Sequence, residues 1–454
     1  MDFIRVWIWK NAKALRNWGL WSVISLSMLG TSAYALFDEN TGRSVYFLPG
    51  ASSAGHYQIE QRCSLCHEAF GDVKQRACLD CHQAELQQAK DSHKIGIFRD
   101  PRNADKLDVI DATRCVTCHK EHRPAITENT GVTLPRDFCI TCHKDVAKER
   151  PTHEGLDFQG CSACHNYHDN RALYEDFLMK HAGEPELAEE PLVRERNFAE
   201  LYRTVNPTRH PLRKTEAHYP ANIPREKAVL NQWAAGHHAQ SGINCGDCHL
   251  RMNTWTLSPP LGQCGECHED ENAGFLAGRH GMRLQQPGLT AMRPADARLP
   301  MKPANAGKPL TCNSCHEAHN DDTNSAAVEA CLGCHDDQHS KAYKNSGHYR
   351  AWQQEREGTA KPGSGVSCAT CHLPRRVKRR DGKDAIIVQH NQNDNLRPNQ
   401  KMIRDVCLAC HGLAFSLDAL ADNKLIAGNF AGKPRVHLES IEMAKRNKAR
   451  KSIH

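Results

Sequence analysis

The 454 residues suffice for two or three domains, yet only 39% of them are hydrophobic and 6% aromatic, with a mean hydropathy of −0.65. A chain this poor in apolar side chains does not build an ordinary large core, so something other than side chains must fill its interior. The formal charge of +6 gives no support for nucleic-acid binding. Cysteine and histidine stand out, at 22 and 28 residues, and such counts point to disulfides, metals or covalent cofactors.

In chain order, the first segment is a targeting sequence. Arg5, Lys10, Lys13 and Arg16 form a positive n-region; the stretch from Trp18 to Gly30 is apolar; Ala33-Tyr34-Ala35 is a small-x-small cleavage site. This is the layout of a secretory signal peptide over residues 1–35. An uncleaved anchor is the rival reading, because the apolar run from Trp18 to Phe37 is about long enough to span a bilayer. Nothing later in the sequence has spanning length, so the remainder is expected to be soluble and exported, in the periplasm or at the cell surface.

Every cysteine then falls into one pattern, Cys-x-x-Cys-His, repeated eleven times. The pairs are Cys63 and Cys66, Cys78 and Cys81, Cys115 and Cys118, Cys139 and Cys142, Cys161 and Cys164, Cys245 and Cys248, Cys264 and Cys267, Cys312 and Cys315, Cys331 and Cys334, Cys368 and Cys371, and Cys407 and Cys410. The histidines that follow are His67, His82, His119, His143, His165, His249, His268, His316, His335, His372 and His411. This is the attachment sequence of c-type haem. Two thiols three positions apart on a helical turn reach the two vinyl groups along one haem edge, and the next residue projects under the ring as the proximal ligand. Zinc sites use Cys-x-x-Cys pairs but give no reason for a His after every second Cys; disulfides ignore that His altogether. Eleven covalent haems, one per roughly 38 residues of mature chain, also answer the composition: the porphyrins are the core. The expected fold is mainly α with extensive coil and very little β, with short helices at the motifs and stacked haems inside.

The motifs form two groups. The expected organisation is a pentahaem domain over 36–182, a linker over 183–230, a hexahaem domain over 231–425 and a basic tail over 426–454. The linker reading rests on Glu184, Glu186, Glu189 and Glu190 followed by Pro211, Pro220 and Pro224, with a short helix around Arg194 to Tyr202. The basic run Arg375 to Arg380 is expected to pair with propionates or to stand as an exposed loop. The tail from Leu438 to Lys451 reads as a basic, solvated helix.

Seventeen histidines lie outside the motifs, and a second His on a haem makes it six-coordinate and suited to electron transfer. The candidates in the first group are His56, His93, His122, His153 and His168, with His181 just beyond. His122 and His168 follow a proximal His by three positions, which points them away from their own haem and toward a neighbour. In the second group the set is His238, His280, His319, His339, His348 and His390, with His237 and His437 as substitutes. At the sixth motif Met252 takes the offset-of-three position; a packing role is expected for it rather than ligation.

The first group, over roughly 56–170, resembles the class III cytochrome c family in its motif density and interspersed His, though it has five motifs and no widened Cys-x4-Cys-His. The second is similar to the part shared by octahaem hydroxylamine oxidoreductases and pentahaem nitrite reductases. The likeness lies in LTCNSCHEAH…ACLGCHDDQH (Leu310 to His339), in GVSCATCHLPRR (Gly365 to Arg376) and in VQHN (Val388 to Asn391). That resemblance implies distal roles for His390 and for His348 in SGHYRAW. All eleven proximal residues are His, with no Lys variant, and no Tyr is identifiable for a haem cross-link. The expected function is therefore electron transfer between redox partners, with no catalytic residues assigned. The expected partners are a quinol-oxidising membrane complex, a periplasmic reductase or oxidase, or an outer-membrane conduit. Nucleic acid is not expected, and membrane contact is expected only through the signal or anchor. The alternative is an oxidoreductase acting on a small nitrogen or sulfur compound at one five-coordinate haem of the second group.

Overall fold

The computed structural model describes residues 12–37, 43–53, 55–68, 71–89, 91, 93–128, 131–135, 137–150, 153, 161, 167–168, 210–223, 226–380, 382–396, 399–438, 441–442 and 446. Cys164, His165, His181, the acidic stretch of 184–190, the expected helix at 194–202 and most of the expected basic helix at 438–451 lie outside these residues. By backbone contacts the chain falls into two compact units: Met1–Gln87 with Ile95–Leu134, and Gln88–Lys94 with Pro135–His454. The first carries the first three motifs and the second the other eight. As expected from the sequence, the fold is mainly α: short helices and 3-10 turns joined by coil, with two small hairpins among the described residues.

In the first unit, helix α1 (Ala12–Phe37) exposes its apolar residues, Trp18 and Trp21 among them. Its stretch Arg16–Leu36 is long and apolar enough to cross a membrane. Helix α2 (Gln75–Ala89) contains the whole second motif. The Gln75 side chain ties it to the third: its amide oxygen accepts from the Cys115 amide at 3.0 Å and its amide nitrogen reaches the Cys115 sulfur at 3.0 Å.

In the second unit, helix α3 (Lys227–Ala235) precedes the sixth motif, and strands β1 (Leu250–Arg251) and β2 (Thr254–Trp255) follow it as a two-residue hairpin. The turn residues Met252 and Asn253 have φ of 46° and 61°, the left-handed conformation such a turn demands. Met252 is 93% exposed, so the packing role expected for it is overturned: the turn places it in solvent. Helix α4 (Glu269–Ala277) follows the seventh motif, and helix α5 (Gly347–Arg356) is capped by Ser346, whose Oγ accepts from the Tyr349 amide at 3.1 Å.

The basic run Arg375–Arg380 is strand β3, paired antiparallel with β4 (Lys383–Val388). This corrects the exposed-loop expectation. Gly382, at φ 78°, closes the turn. Lys378 pairs with Asp270 at 2.9 Å, and Arg376 bonds Asn395 at 2.6 Å and Asp405 at 3.0 Å. These two cations are thus neutralised by carboxylates of the chain itself.

Helices α6 (Leu413–Ala421) and α7 (Asn423–Ala427) close the described chain. Met402, Ile403, Val406, Leu413, Leu417, Leu420 and Ile441 form an apolar cluster around the eleventh motif. Leu413, Leu417 and Leu420 recur at the helical spacing that turns one face inward. A smaller cluster, Val328, Leu332, Tyr343 and Trp352, lies against Cys368.

Candidate haem centres

Among the described residues the motifs are built as tight turns. The amide of the motif histidine donates to the carbonyl of the first cysteine at His67, His119, His143, His268, His316, His335 and His411, over 2.8–3.0 Å. Cys245–His249 and Cys368–His372 are short α-helices. The caps are local: the Ser367 hydroxyl accepts from the Thr370 amide at 3.1 Å, and the Asp247 carboxylate accepts from the Asn244 amide at 2.7 Å. Such a turn points two thiols and one imidazole toward the same side.

Eight of the motif imidazoles face another imidazole. In the first unit His82 stands 6.0 Å, centroid to centroid, from His56. In the second, His143 stands 6.3 Å from His93. The six motif histidines from His249 onward follow suit. His249 faces His319 at 5.9 Å, His268 faces His238 at 6.1 Å, and His316 faces His390 at 6.2 Å. His335 faces His280 at 6.3 Å, His372 faces His339 at 6.1 Å, and His411 faces His348 at 6.2 Å. Two metal–imidazole bonds of about 2 Å each, plus the two rings, span this separation. A stacked pair such as Tyr167 on His93 sits closer, at 3.9 Å, while tilted ring contacts such as His348 with Phe430 share the wider spacing, at 6.1 Å.

The outer nitrogens are held as ligation requires. A metal-binding His donates its other N–H to a carbonyl or carboxylate, which fixes the tautomer and aims the ring. Nδ1 meets the carbonyl of Thr256 at His249 (2.6 Å), of Val388 at His390 (2.8 Å), of Ile426 at His339 (2.5 Å) and of Tyr167 at His93 (2.8 Å). His122 does the same with Gly50 at 2.8 Å and His119 with Gly131 at 3.0 Å. His56 and His82 use carboxylates instead, Glu121 at 2.7 Å and Glu85 at 3.0 Å. His168 lies 3.3 Å from Asp91. At His339 the Asn429 amide also approaches Nε2, at 3.2 Å.

Burial favours neutral donors. Desolvation pushes His280 and His372 down to about 4, and pushes the thiols of Cys315 and Cys407 up to about 11 and about 12. Sulfurs of neighbouring motifs lie beside one another, Cys78 by Cys115, Cys264 by Cys312 and Cys331 by Cys368. Among the described residues no cysteine is in a disulfide, and no three His, Cys, Asp or Glu side chains gather as a metal site. A pair of thiols and two opposed imidazoles per site fits a haem iron with two axial histidines.

The spare histidines separate by the same geometry. His437 has both ring nitrogens occupied, by Asp418 at 2.9 Å and Glu442 at 3.3 Å. His237 lies on Asp321 with a side chain 79% exposed, and His210 bonds the Pro211 carbonyl. Sequence reasoning missed the joint that aims two of the distal candidates. The Gln392 side chain accepts from the Arg279 amide at 3.0 Å and its amide meets His280 Nδ1 at 3.3 Å, so the 389–392 loop and the end of α4 are fastened together. A Cβ on Gly278 would stand 2.7 Å from the His390 carbonyl. The glycine between α4 and His280 was the available signal.

Residues 55–144 match the family model described as Cytochrome c3. This segment is similar to a multihaem cytochrome c. The match spans the first four motifs, Cys63 to His143, and implies covalently bound haem c, electron transfer and redox protein partners. No curated protein and no solved structure matches the chain.

Proposed function

We propose that this cytochrome is an exported undecahaem electron carrier that passes electrons between redox proteins through a series of mostly bis-histidine centres. The observation that carries the reading is the opposition of eight motif histidines to eight others at 5.9–6.3 Å. Haem iron supplies reversible one-electron chemistry when both axial positions are taken by imidazole. The polypeptide's part is to hold the rings, exclude small ligands from the sixth position and set the surrounding charge. Neighbouring sulfurs of the second and third, seventh and eighth, and ninth and tenth motifs support close packing of successive centres. A division into a pentahaem and a hexahaem region, at 36–182 and 231–425, belongs to the same reading, as does a periplasmic location with residues 1–35 as the export signal. The partners in this reading are a quinol-oxidising membrane complex, a periplasmic reductase or oxidase, or an outer-membrane conduit.

Catalysis on a small nitrogen or sulfur compound would need an open axial position in the second group. There, each of the six motif histidines already faces a second ring. Optical and EPR spectra of the oxidised protein test the choice. Low-spin signals throughout, with no response to cyanide, nitrite or carbon monoxide, are expected; a high-spin ferric signal that shifts with nitrite overturns the carrier reading.

A further inference from the structure

The second motif differs from the sixth, eighth and tenth in what stands behind its imidazoles, while at the seventh and ninth a carboxylate comes only within 3.9 Å of His238 and 3.7 Å of His335. His82 Nδ1 meets Glu85 Oε2 at 3.0 Å and the facing His56 meets Glu121 Oε1 at 2.7 Å. Glu85 lies one turn along α2 from His82, so the helix itself brings the pair together. Glu121 is held by two further donors, the Ser53 amide at 2.7 Å and the Ser53 hydroxyl. Its place in the chain fixes it as well: it lies between His119, anchored on Gly131, and His122, anchored on Gly50 at a φ of 61°. At the sixth, eighth and tenth motifs the corresponding Nδ1 partners named above, on His249, His390 and His339, are neutral backbone carbonyls.

The difference is one of charge. A carboxylate accepting from Nδ1 draws that proton away and leaves Nε2 a stronger donor. A stronger donor, with two negative charges near the metal, favours the ferric over the ferrous state, because hydrogen bonding and local charge are the levers that set such potentials. We propose that Glu85 and Glu121 are positioning residues that make the second motif a low-potential centre, below those of the sixth, eighth and tenth motifs. The inference rests on the bis-histidine reading above.

The test is a spectroelectrochemical titration of the full-length holoprotein beside Glu85→Gln, Glu121→Gln and the double variant, with Glu357→Gln as a charge control. Glutamine keeps an acceptor oxygen and removes the charge. The expected result is that one component at the low end of the titration moves upward by about tenfold in its ferric–ferrous equilibrium per substitution, about 59 mV for one electron. Haem content and the low-spin EPR signal stay unchanged, and the control moves nothing. An unmoved low end with the low-spin signal intact overturns this proposal while leaving the bis-histidine reading standing. The wild type bears on the underlying reading separately: if its second centre, isolated by a Cys78→Ala/Cys81→Ala difference spectrum, is high-spin, both fall together.

Discussion

His316 and His390 stand with their ring centroids 6.2 Å apart, one in an attachment turn and the other just past the end of strand β4. Nothing holds them at that spacing by direct contact. His390 is aimed from behind, by the Val388 carbonyl at 2.8 Å on its Nδ1. The expected consequence of His390→Ala is conversion of one low-spin centre to a high-spin, carbon-monoxide-binding one, visible in EPR and in the reduced-plus-CO difference spectrum. The His437→Ala variant is expected to leave both spectra unchanged, since its two nitrogens are engaged by Asp418 and Glu442.

Gly278→Ala is expected to disturb two centres at once. The added methyl meets the His390 carbonyl and the Gln392 side chain, each at 2.7 Å, and the same Gln392 supports His280. Altered low-spin g-values for two centres, rather than one, are the outcome to look for in the EPR spectrum.

Leu417→Ala tests whether side chains or cofactors stabilise the C-terminal end. Leu417 is 2% exposed within an apolar cluster of its own. Truncating such a residue costs about 2–5 kcal/mol. A lowered denaturation midpoint with unchanged haem content is expected; an unchanged midpoint would mean that this cluster contributes little.

Asp422 gives a pH dependence whose sign is fixed. The Arg435 amide above all, then the Leu425 and Lys424 amides, donate to its carboxylate and hold its pKa below the usual range. The folded state therefore prefers the ionised form. The stabilisation is complete above the ordinary carboxylate pKa and is lost as pH falls through the lowered value. Denaturation midpoints followed from neutral pH into acid are expected to fall more steeply for the wild type than for Asp422→Asn.

Much of this was legible because the attachment motif carries its own local structure: five residues suffice for the turn, the two thiols and the imidazole. Distal partners were partly legible. His319, three positions beyond His316, cannot turn back to its own centre, and it faces His249. His238 and His280 had no such rule, and their facing of His268 and His335 depends on chain paths that no local pattern encodes. The β3–β4 hairpin was hidden because its first strand, RRVKRR, has no apolar alternation; its stability comes from Asp270, Asp405 and Asn395 elsewhere in the sequence. The apolar cluster around the eleventh motif was passed over because overall composition pointed to cofactors as the core, although Leu413, Leu417 and Leu420 showed it locally.

The most direct measurement of the central claim is the intact mass of the purified mature protein. Covalent attachment at every Cys-x-x-Cys-His turn predicts a polypeptide carrying eleven haem adducts. A mass equal to the bare chain, or to the chain with zinc, would contradict it.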